Sequence, residues 1–189
     1  MTLKGKIRII GGCYRGRKIS VVSKEIRPTS DRVRETLFNW LNSKLVNKSC
    51  LDLFAGTGIL GIEALSRGAR TVVFVDHRQD IVSEIKTQIS KLQLYNCSVV
   101  LSDSLQYLDN RKHLDSFDII FLDPPFGVYN LETLLDHIEE TKSLDPQGMV
   151  YYESNQSLEN SMIRNSWDNY RESNAGNVYY GLLTKKILN

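Results

Sequence analysis

The stretch Leu51-Asp52-Leu53-Phe54-Ala55-Gly56-Thr57-Gly58-Ile59-Leu60-Gly61 decides the fold of this chain. An apolar run ends at Phe54, three glycines follow with G-x-G-x-x-G spacing, and an apolar pattern at helical spacing begins at Ile59. Glycines at these places let a ligand approach the backbone closely, and the start of the next helix offers free N–H groups. The stretch therefore predicts a strand, turn and helix that bind a cofactor containing adenosine.

Strand and helix patterns alternate on both sides of this stretch. Apolar runs predict strands over 50–54, 71–75, 98–101, 117–122 and 149–152, and helical periodicity predicts helices over 59–67, 81–94 and 131–141. Strands that alternate with helices are typical of a doubly wound, mostly parallel sheet. The fold class is therefore α/β, with a Rossmann-like core.

Shorter β patterns lie at both ends of the chain. Residues 6–10 and 17–22 predict a small basic hairpin, and residues 170–173 and 178–185 predict a terminal hairpin that adds antiparallel strands to the sheet. A helix begins near Thr29, Ser30 and Asp31, which are all able to cap free N–H groups. We expect one domain over 1–189, with a hairpin appendage over 1–28 and a cofactor-binding catalytic core over 29–189.

The composition excludes several classes of protein. The chain has 189 residues, of which 41% are hydrophobic and 24% are charged, as in one ordinary globular domain. It contains neither an 18-residue apolar run nor a signal-peptide pattern, so we expect no membrane span and no secretion. The cysteines Cys13, Cys50 and Cys97 form no C-x-x-C pair, which suits a reducing cytoplasm. The three histidines have no ligand spacing, so we expect no metal.

Positive charge is concentrated at the N-terminal end. Residues 1–34 contain ten Lys or Arg and two acidic residues, whereas the rest of the chain contains fourteen basic and twenty acidic residues. Such a segment is typical of proteins that bind a polyanion, although a solvated basic face gives the same pattern.

Acidic residues follow three successive predicted strands. Asp52 would repel a pyrophosphate but attract an ammonium group, which favours S-adenosylmethionine (SAM) over a dinucleotide. Asp76 is placed to accept hydrogen bonds from a ribose diol, with His77 flanking the adenine, and Asp103 to accept from an adenine amino group, with Ser104 next to it. One such aspartate alone is more often a turn former or helix cap. Three in successive loops indicate a ligand, because open α/β sheets bind ligands at this edge.

The fourth predicted strand of the core ends in Asp123-Pro124-Pro125-Phe126, the most specific motif in the chain. Methylation of a conjugated amine requires its nitrogen to become tetrahedral, and two hydrogen-bond acceptors aimed at the N–H groups favour that change. The Asp123 carboxylate and the Pro124 carbonyl supply them, while Phe126 stacks on the base. Alignment of amine and methyl donor then supplies most of the rate, so no strong base is required. The alternative interpretation is a rigid turn after a buried strand.

Several stretches together resemble one family. They are 8–18 (RIIGGCYRGRK), 27–41 (RPTSDRVRETLFNWL), 51–58 (LDLFAGTG) and 123–126 (DPPF). With them the chain resembles the bacterial 16S ribosomal RNA guanine-N2 methyltransferases of the RsmD type, within the class I SAM-dependent methyltransferases. The resemblance covers nearly the whole chain, and its first two stretches are more specific than the glycine loop.

The resemblance implies methylation of N2 of guanine 966 of 16S RNA. We expect a cytoplasmic protein that acts as a monomer. Its partner is the small ribosomal subunit or an assembly intermediate of it, and the target base is flipped. The helix over 29–35 closes over the methionine end of SAM. The implied cofactor residues beyond the acids above are Thr29, Arg34, Phe54, Gly56, Gly58 and Asp123. The implied RNA-binding residues are Arg8, Arg15, Arg17, Lys18, Pro125 and Phe126.

Three other functions fit parts of the sequence. Adenine-N6 methylation of DNA uses the same motif, but 189 residues leave no room for a separate DNA-recognition domain. The glycine spacing fits a nicotinamide oxidoreductase, and the N-terminal charge fits a non-catalytic RNA-binding module.

Overall fold

The computed structural model of the protein describes residues 5–21, 29–111, 114–125, 127–158 and 166–186. Its strands are β1 (Gly5–Arg8), β2 (Lys18–Val21), β3 (Ser49–Asp52), β4 (Thr71–Asp76), β5 (Cys97–Leu101), β6 (Phe117–Leu122), β7 (Leu144–Ser154), β8 (Trp167–Ala175) and β9 (Val178–Lys185). Its helices are α1 (Asp31–Leu41), α2 (Ile59–Ser66), α3 (Gln79–Leu92), α4 (Ser104–Asp109) and α5 (Leu131–Glu140), and a 3-10 turn (Asn42–Leu45) follows α1.

Seven of the strands form one sheet in the order β5-β4-β3-β6-β7-β9-β8. The strands β3 to β7 run parallel, and β9 and β8 add antiparallel strands beyond β7. Because the chain leaves β3 toward β5 and later returns to β6 on the other side of β3, the strand order reverses between β3 and β6. The predicted Rossmann-like fold with a terminal antiparallel hairpin is confirmed.

Side chains that alternate along the central strands build an apolar layer on each face of the sheet. In β6, Phe121 belongs to the layer that contains side chains of α1, α2 and α3, whereas Ile120 and Leu122 belong to the layer that contains α4 and α5. In β7, Tyr151 and Tyr152 divide in the same way. Helices therefore cover both faces of the parallel strands, and the carboxyl ends of those strands meet at one edge.

The N-terminal hairpin β1–β2 packs against the core. Ile7, Ile9 and Ile19 are buried in the same layer as α1 and α2. The turn between the strands lies on the last turn of α2, where the Cys13 N–H donates to the Ser66 carbonyl at 2.8 Å. Gly12 has φ of +74°, and a Cβ there would lie 1.8 Å from that same carbonyl oxygen. Only glycine permits this approach.

Some elements differ from the sequence-based expectations, and β8 is longer than the predicted strand over 170–173. The strand β7 begins at Leu144 rather than at Met149, and an irregularity in its register with β6 accommodates Pro146 and Gly148. The six-residue helix α4 was not predicted, since it is too short to show a clear period. Its buried residue Leu108 packs into the layer under α5. None of the helices that the structure describes is long and apolar enough to cross a membrane.

Candidate active site

A cavity of about 740 Å³ opens at the carboxyl edge of the parallel strands, where the strand order reverses. Its volume lies in the range of sites for small molecules and cofactors. Most of the predicted site residues line it, namely Thr29, Asp52, Phe54, Gly56, Asp76, His77, Asp103, Ser104, Asp123, Pro124 and Pro125. Phe126, predicted to stack on the base, lies outside the described residues.

The glycine loop forms the floor of the cavity between β3 and α2. Gly56 and Gly58 have φ of +49° and +74°, a conformation that favours glycine. The third glycine, Gly61, lies inside α2 at the closest approach of the helix to the sheet. A Cβ there would be 2.2 Å from the ring of Phe74. The loop thus places the start of α2 directly against the end of β3.

Asp52 lies at the end of β3 and is buried. Its carboxylate accepts a hydrogen bond from the Gly61 N–H at 3.0 Å. Burial raises the pKa of Asp52 to about 7; the Gly61 hydrogen bond opposes this shift, and the nearby charge of Asp76 adds to it. A buried carboxyl with this pKa, lining a cavity, is suited to a positively charged ligand.

Asp76 ends β4 with its carboxylate held on both oxygens. One oxygen accepts from the Gly56 N–H at 3.0 Å and the other from the Arg78 N–H at 2.9 Å. These bonds orient the carboxylate at the cavity wall, where each oxygen retains capacity to accept a further hydrogen bond. His77 follows it with an exposed ring, whose Nδ1 lies 3.9 Å from Asp76 Oδ1.

Asp103 caps α4, as the alternative interpretation of a lone aspartate holds. One oxygen accepts from the N–H groups of Leu105 and Gln106, and the other accepts from the Tyr129 hydroxyl at 2.9 Å. Burial alone would raise the pKa of Asp103, but these hydrogen bonds outweigh it and lower the pKa. Asp103 also lines the cavity, so capping and ligand contact are compatible there.

Two neighbours of Asp103 complete this wall. The Ser104 hydroxyl donates to the Leu53 carbonyl at 3.0 Å, which ties α4 to the end of β3. Phe54 and Tyr129 meet edge to face with ring centroids 5.0 Å apart. Sequence analysis did not identify Tyr129, since it follows the Asp-Pro-Pro turn and acts through a contact between distant elements.

Asp123 follows β6 directly, at the cavity rim. The Thr29 hydroxyl donates to its Oδ2 at 3.2 Å, which brings together two residues that are 94 positions apart. Burial and the charge of Glu153 raise the pKa of Asp123 well above its usual range, against the opposing effect of the Thr29 bond. Pro124 is buried and Pro125 exposed, and both line the cavity.

Glu153, near the end of β7, is a cavity residue that the sequence analysis missed. It is buried and accepts a hydrogen bond from the Tyr151 hydroxyl at 2.8 Å. The strand predicted over 149–152 ends one residue before Glu153, so the sequence analysis assigned Glu153 no role. A signal for Glu153 was present in the sequence, because the strands predicted over 117–122 and 149–152 are each followed directly by an acidic residue, Asp123 and Glu153.

Arg34 does not line the cavity, which corrects its prediction as a cofactor residue. Its side chain is fully buried, and Nη1 lies 3.2 Å from Glu63 Oε1. It also donates to the carbonyls of Arg8 and Thr29. Glu63 in turn accepts from the Ile10 N–H and from Arg67 Nε. Arg34 therefore joins the hairpin, α1 and α2, because a buried guanidinium needs several acceptors.

Four of the predicted RNA-binding residues lie on the hairpin and do not line the cavity. Arg8, Arg15, Arg17 and Lys18 are all exposed. The Arg17 guanidinium lies over the ring of Tyr14, 5.1 Å from its centroid. They form a group of cations with one aromatic ring, on a hairpin fixed to the core.

A known protein family matches nearly the whole chain. The family model described as conserved hypothetical protein 95 matches residues 7–184. The chain belongs to this family. "Ribosomal RNA small subunit methyltransferase D" of Haemophilus influenzae is 38% identical over 185 residues, which are 95% of this chain and 94% of that protein.

Solved structures agree with this family membership. A proposed methyltransferase from Escherichia coli is 36% identical, with a TM-score of 0.87 over 97% of this chain and 100% of that chain. A more distant protein, a proposed methyltransferase complexed with SAH, is 17% identical, with a TM-score of 0.75 over 98% of this chain and 57% of that chain. This second likeness shows the shared fold. The resemblance found in the sequence is confirmed at the level of the family.

Proposed function

We propose that the protein is a SAM-dependent methyltransferase that acts on RNA of the small ribosomal subunit. The observation that carries the proposal is that Asp123-Pro124-Pro125 lies on the same cavity as the glycine loop and its acidic residues. One cavity thus contains both the Asp-Pro-Pro motif, which suits an amine, and the glycine loop with its acidic residues, which suits a cationic adenosine cofactor. The name of the Haemophilus influenzae relative supports the RNA class.

The cavity residues fit SAM in their chemistry. Asp52 suits its ammonium group, and Asp76 suits a ribose diol. When bound, SAM supplies a methyl group on a positively charged sulfur, which the amine accepts as the carbon–sulfur bond breaks. Asp123 and the Pro124 carbonyl accept hydrogen bonds from the amine N–H groups and hold the nitrogen lone pair toward the donor. After transfer the nitrogen loses one proton, which the Asp123 carboxylate can take because its pKa is raised.

At the finer level, we assign the target as N2 of a guanine, at position 966 of 16S RNA according to the resemblance. The base leaves its stack to reach Asp123, with Phe126 as its stacking partner. The exposed cations of the hairpin hold the surrounding RNA. The acting form is a monomer, and the substrate is the small subunit or its assembly intermediate.

The test is transfer of radiolabelled methyl from SAM to small ribosomal subunits that lack the modification. The product nucleoside is identified by mass spectrometry. N2-methylguanosine in 16S RNA is the expected result. Label found only as N6-methyladenine, in RNA or DNA, would keep the fold and the cofactor but overturn the substrate.

We expect cofactor affinity to depend on pH through Asp52. With a pKa of about 7, its carboxyl is mostly protonated at pH 6 and mostly ionised at pH 8. Because the ionised form attracts an ammonium group, affinity for S-adenosylhomocysteine should weaken about tenfold from pH 8 to pH 6. Calorimetric titration at pH 6 and at pH 8 measures this change in affinity. The matched variant Asp52→Asn should bind weakly at both, and an unchanged pH dependence in that variant would assign the effect to another group.

We expect the hairpin cations to contribute most of the salt dependence of RNA binding. Changing Arg15, Arg17 and Lys18 together to Gln should weaken binding and lower the slope of log affinity against log salt by about 2 to 3. The control is Lys86, Lys91 and Lys142 changed to Gln, which removes the same charge from other exposed positions. If both triple variants lose the same slope, the RNA site is not on the hairpin.

A further inference from the structure

Two acidic side chains lie next to each other at the reaction end of the cavity. Residues Leu122 of β6 and Tyr152 of β7 are paired in register, so the next residues, Asp123 and Glu153, also lie side by side. Neighbouring strands are separated by about 4.8 Å. Both side chains line the cavity, and the charge of Glu153 is among the causes that raise the pKa of Asp123. The proposed reaction uses Asp123 and leaves Glu153 without a role.

Glu153 is held as a hydrogen-bond acceptor. The Tyr151 hydroxyl donates to its Oε1 at 2.8 Å, and Tyr151 is completely buried. Burial and the charges of Glu153 and Asp123 raise the pKa of Tyr151 well above its usual range, so this hydroxyl keeps its proton. A carboxylate has about four lone-pair positions, and the Tyr151 bond orients that of Glu153 as an acceptor at the cavity.

A pair of buried carboxyls is costly unless a ligand brings hydrogen-bond donors to them. On the Watson–Crick edge of guanine, the N1–H and the N2 amino group are two adjacent donors. On the same edge of adenine, N1 is an acceptor that would face a carboxylate oxygen. Two neighbouring acceptors therefore match guanine and repel adenine, which is how a site gains specificity as well as affinity.

We infer that Glu153 determines base specificity by accepting a hydrogen bond from N1–H of the target guanine while Asp123 accepts from N2–H. Tyr151 acts as a positioning residue that orients Glu153. The inference rests on the proposed guanine-N2 activity and adds the group that separates guanine from other bases with an exocyclic amine.

The test replaces the target guanine with 2-aminopurine, which keeps the N2 amino group but has an acceptor at N1. Small subunits are reconstituted with 2-aminopurine or guanine at the nucleotide that the wild-type protein methylates, and kcat/KM is measured for each. Wild type should prefer guanine by about 100-fold or more, because N1 of 2-aminopurine is an acceptor and meets the Glu153 carboxylate where guanine presents a donor. In Glu153→Gln the amide can donate to N1 of 2-aminopurine, so we expect the preference to fall below about tenfold.

Two further variants keep the test decisive. Glu140→Gln makes the same change at an exposed position on α5 and should retain the wild-type preference. Tyr151→Phe keeps the ring but removes the donor to Glu153, so its preference should be intermediate, and it carries the test if Glu153→Gln does not fold. A wild-type preference in folded Glu153→Gln, or in Tyr151→Phe alone, overturns the inference. Absence of guanine methylation by wild type instead overturns the proposed function.

Discussion

Replacing Asp123 with Ala should lower kcat for methyl transfer by about 10² to 10³, as removal of one polar partner of a transition state does elsewhere. The carboxylate is oriented by the Thr29 hydroxyl and directly follows β6. In the proposed reaction it contacts the amine rather than the adenosine part of the cofactor. Affinity for S-adenosylhomocysteine should therefore change little. Single-turnover methyl transfer and calorimetric titration measure the two quantities separately.

The matched control for this variant is Asp136→Ala, which removes an exposed aspartate from α5. It should keep wild-type kcat. Turnover close to wild type in Asp123→Ala would show that the motif takes no part in methyl transfer, although it lines the cavity. A loss of cofactor affinity with kcat retained would instead place Asp123 in the cofactor site.

Replacing Arg34 with Met should lower the free energy of unfolding by about 3 kcal/mol or more, because it breaks a buried ion pair and leaves Glu63 short of a partner. Both side chains of this pair are fully buried. The loss of the bonds to the Arg8 and Thr29 carbonyls adds to the effect. Urea denaturation followed by circular dichroism measures the change.

Arg32→Met is the control for Arg34→Met, since Arg32 is an exposed arginine of the same helix. We expect it to change stability by less than about 0.5 kcal/mol. Adding Glu63→Gln to Arg34→Met should recover part of the loss, because the buried charge that has lost the Arg34 guanidinium is then removed. A loss below about 1 kcal/mol in Arg34→Met would show that the buried network is not a support of the fold.

The sequence predicted the core fold because its signals are local. The glycine loop, the alternation of apolar runs and the caps each lie within about ten residues, and β6 was predicted with the ends it has. Asp52, Asp76 and Asp123 could also be predicted as site residues, because each lies near or directly after the end of a predicted strand.

What the sequence did not predict depends on contacts between distant elements. Arg34 belongs to a motif rich in polar residues, and nothing near it shows that Glu63, 29 positions away, would bury it. Glu153 becomes a site residue only through the register of β7 with β6, which pairs Leu122 with Tyr152 and so brings Glu153 beside Asp123. Tyr129 meets Asp103 across 26 positions. Hydrophobic periodicity predicts whether a residue lies in a helix or a strand, whereas the packing of those elements decides which residues it contacts.

The helix α2 touches both proposed binding regions, one at each end. Its first turn starts from Gly58 in the cofactor loop, and its last turn holds the hairpin through Ser66. Eight residues at about 1.5 Å each make a rod of about 12 Å that does not stretch. If the hairpin binds RNA as proposed, α2 fixes the distance between the bound RNA backbone and the cavity. A guanine then enters the cavity only when it lies at that distance from the backbone that the hairpin holds.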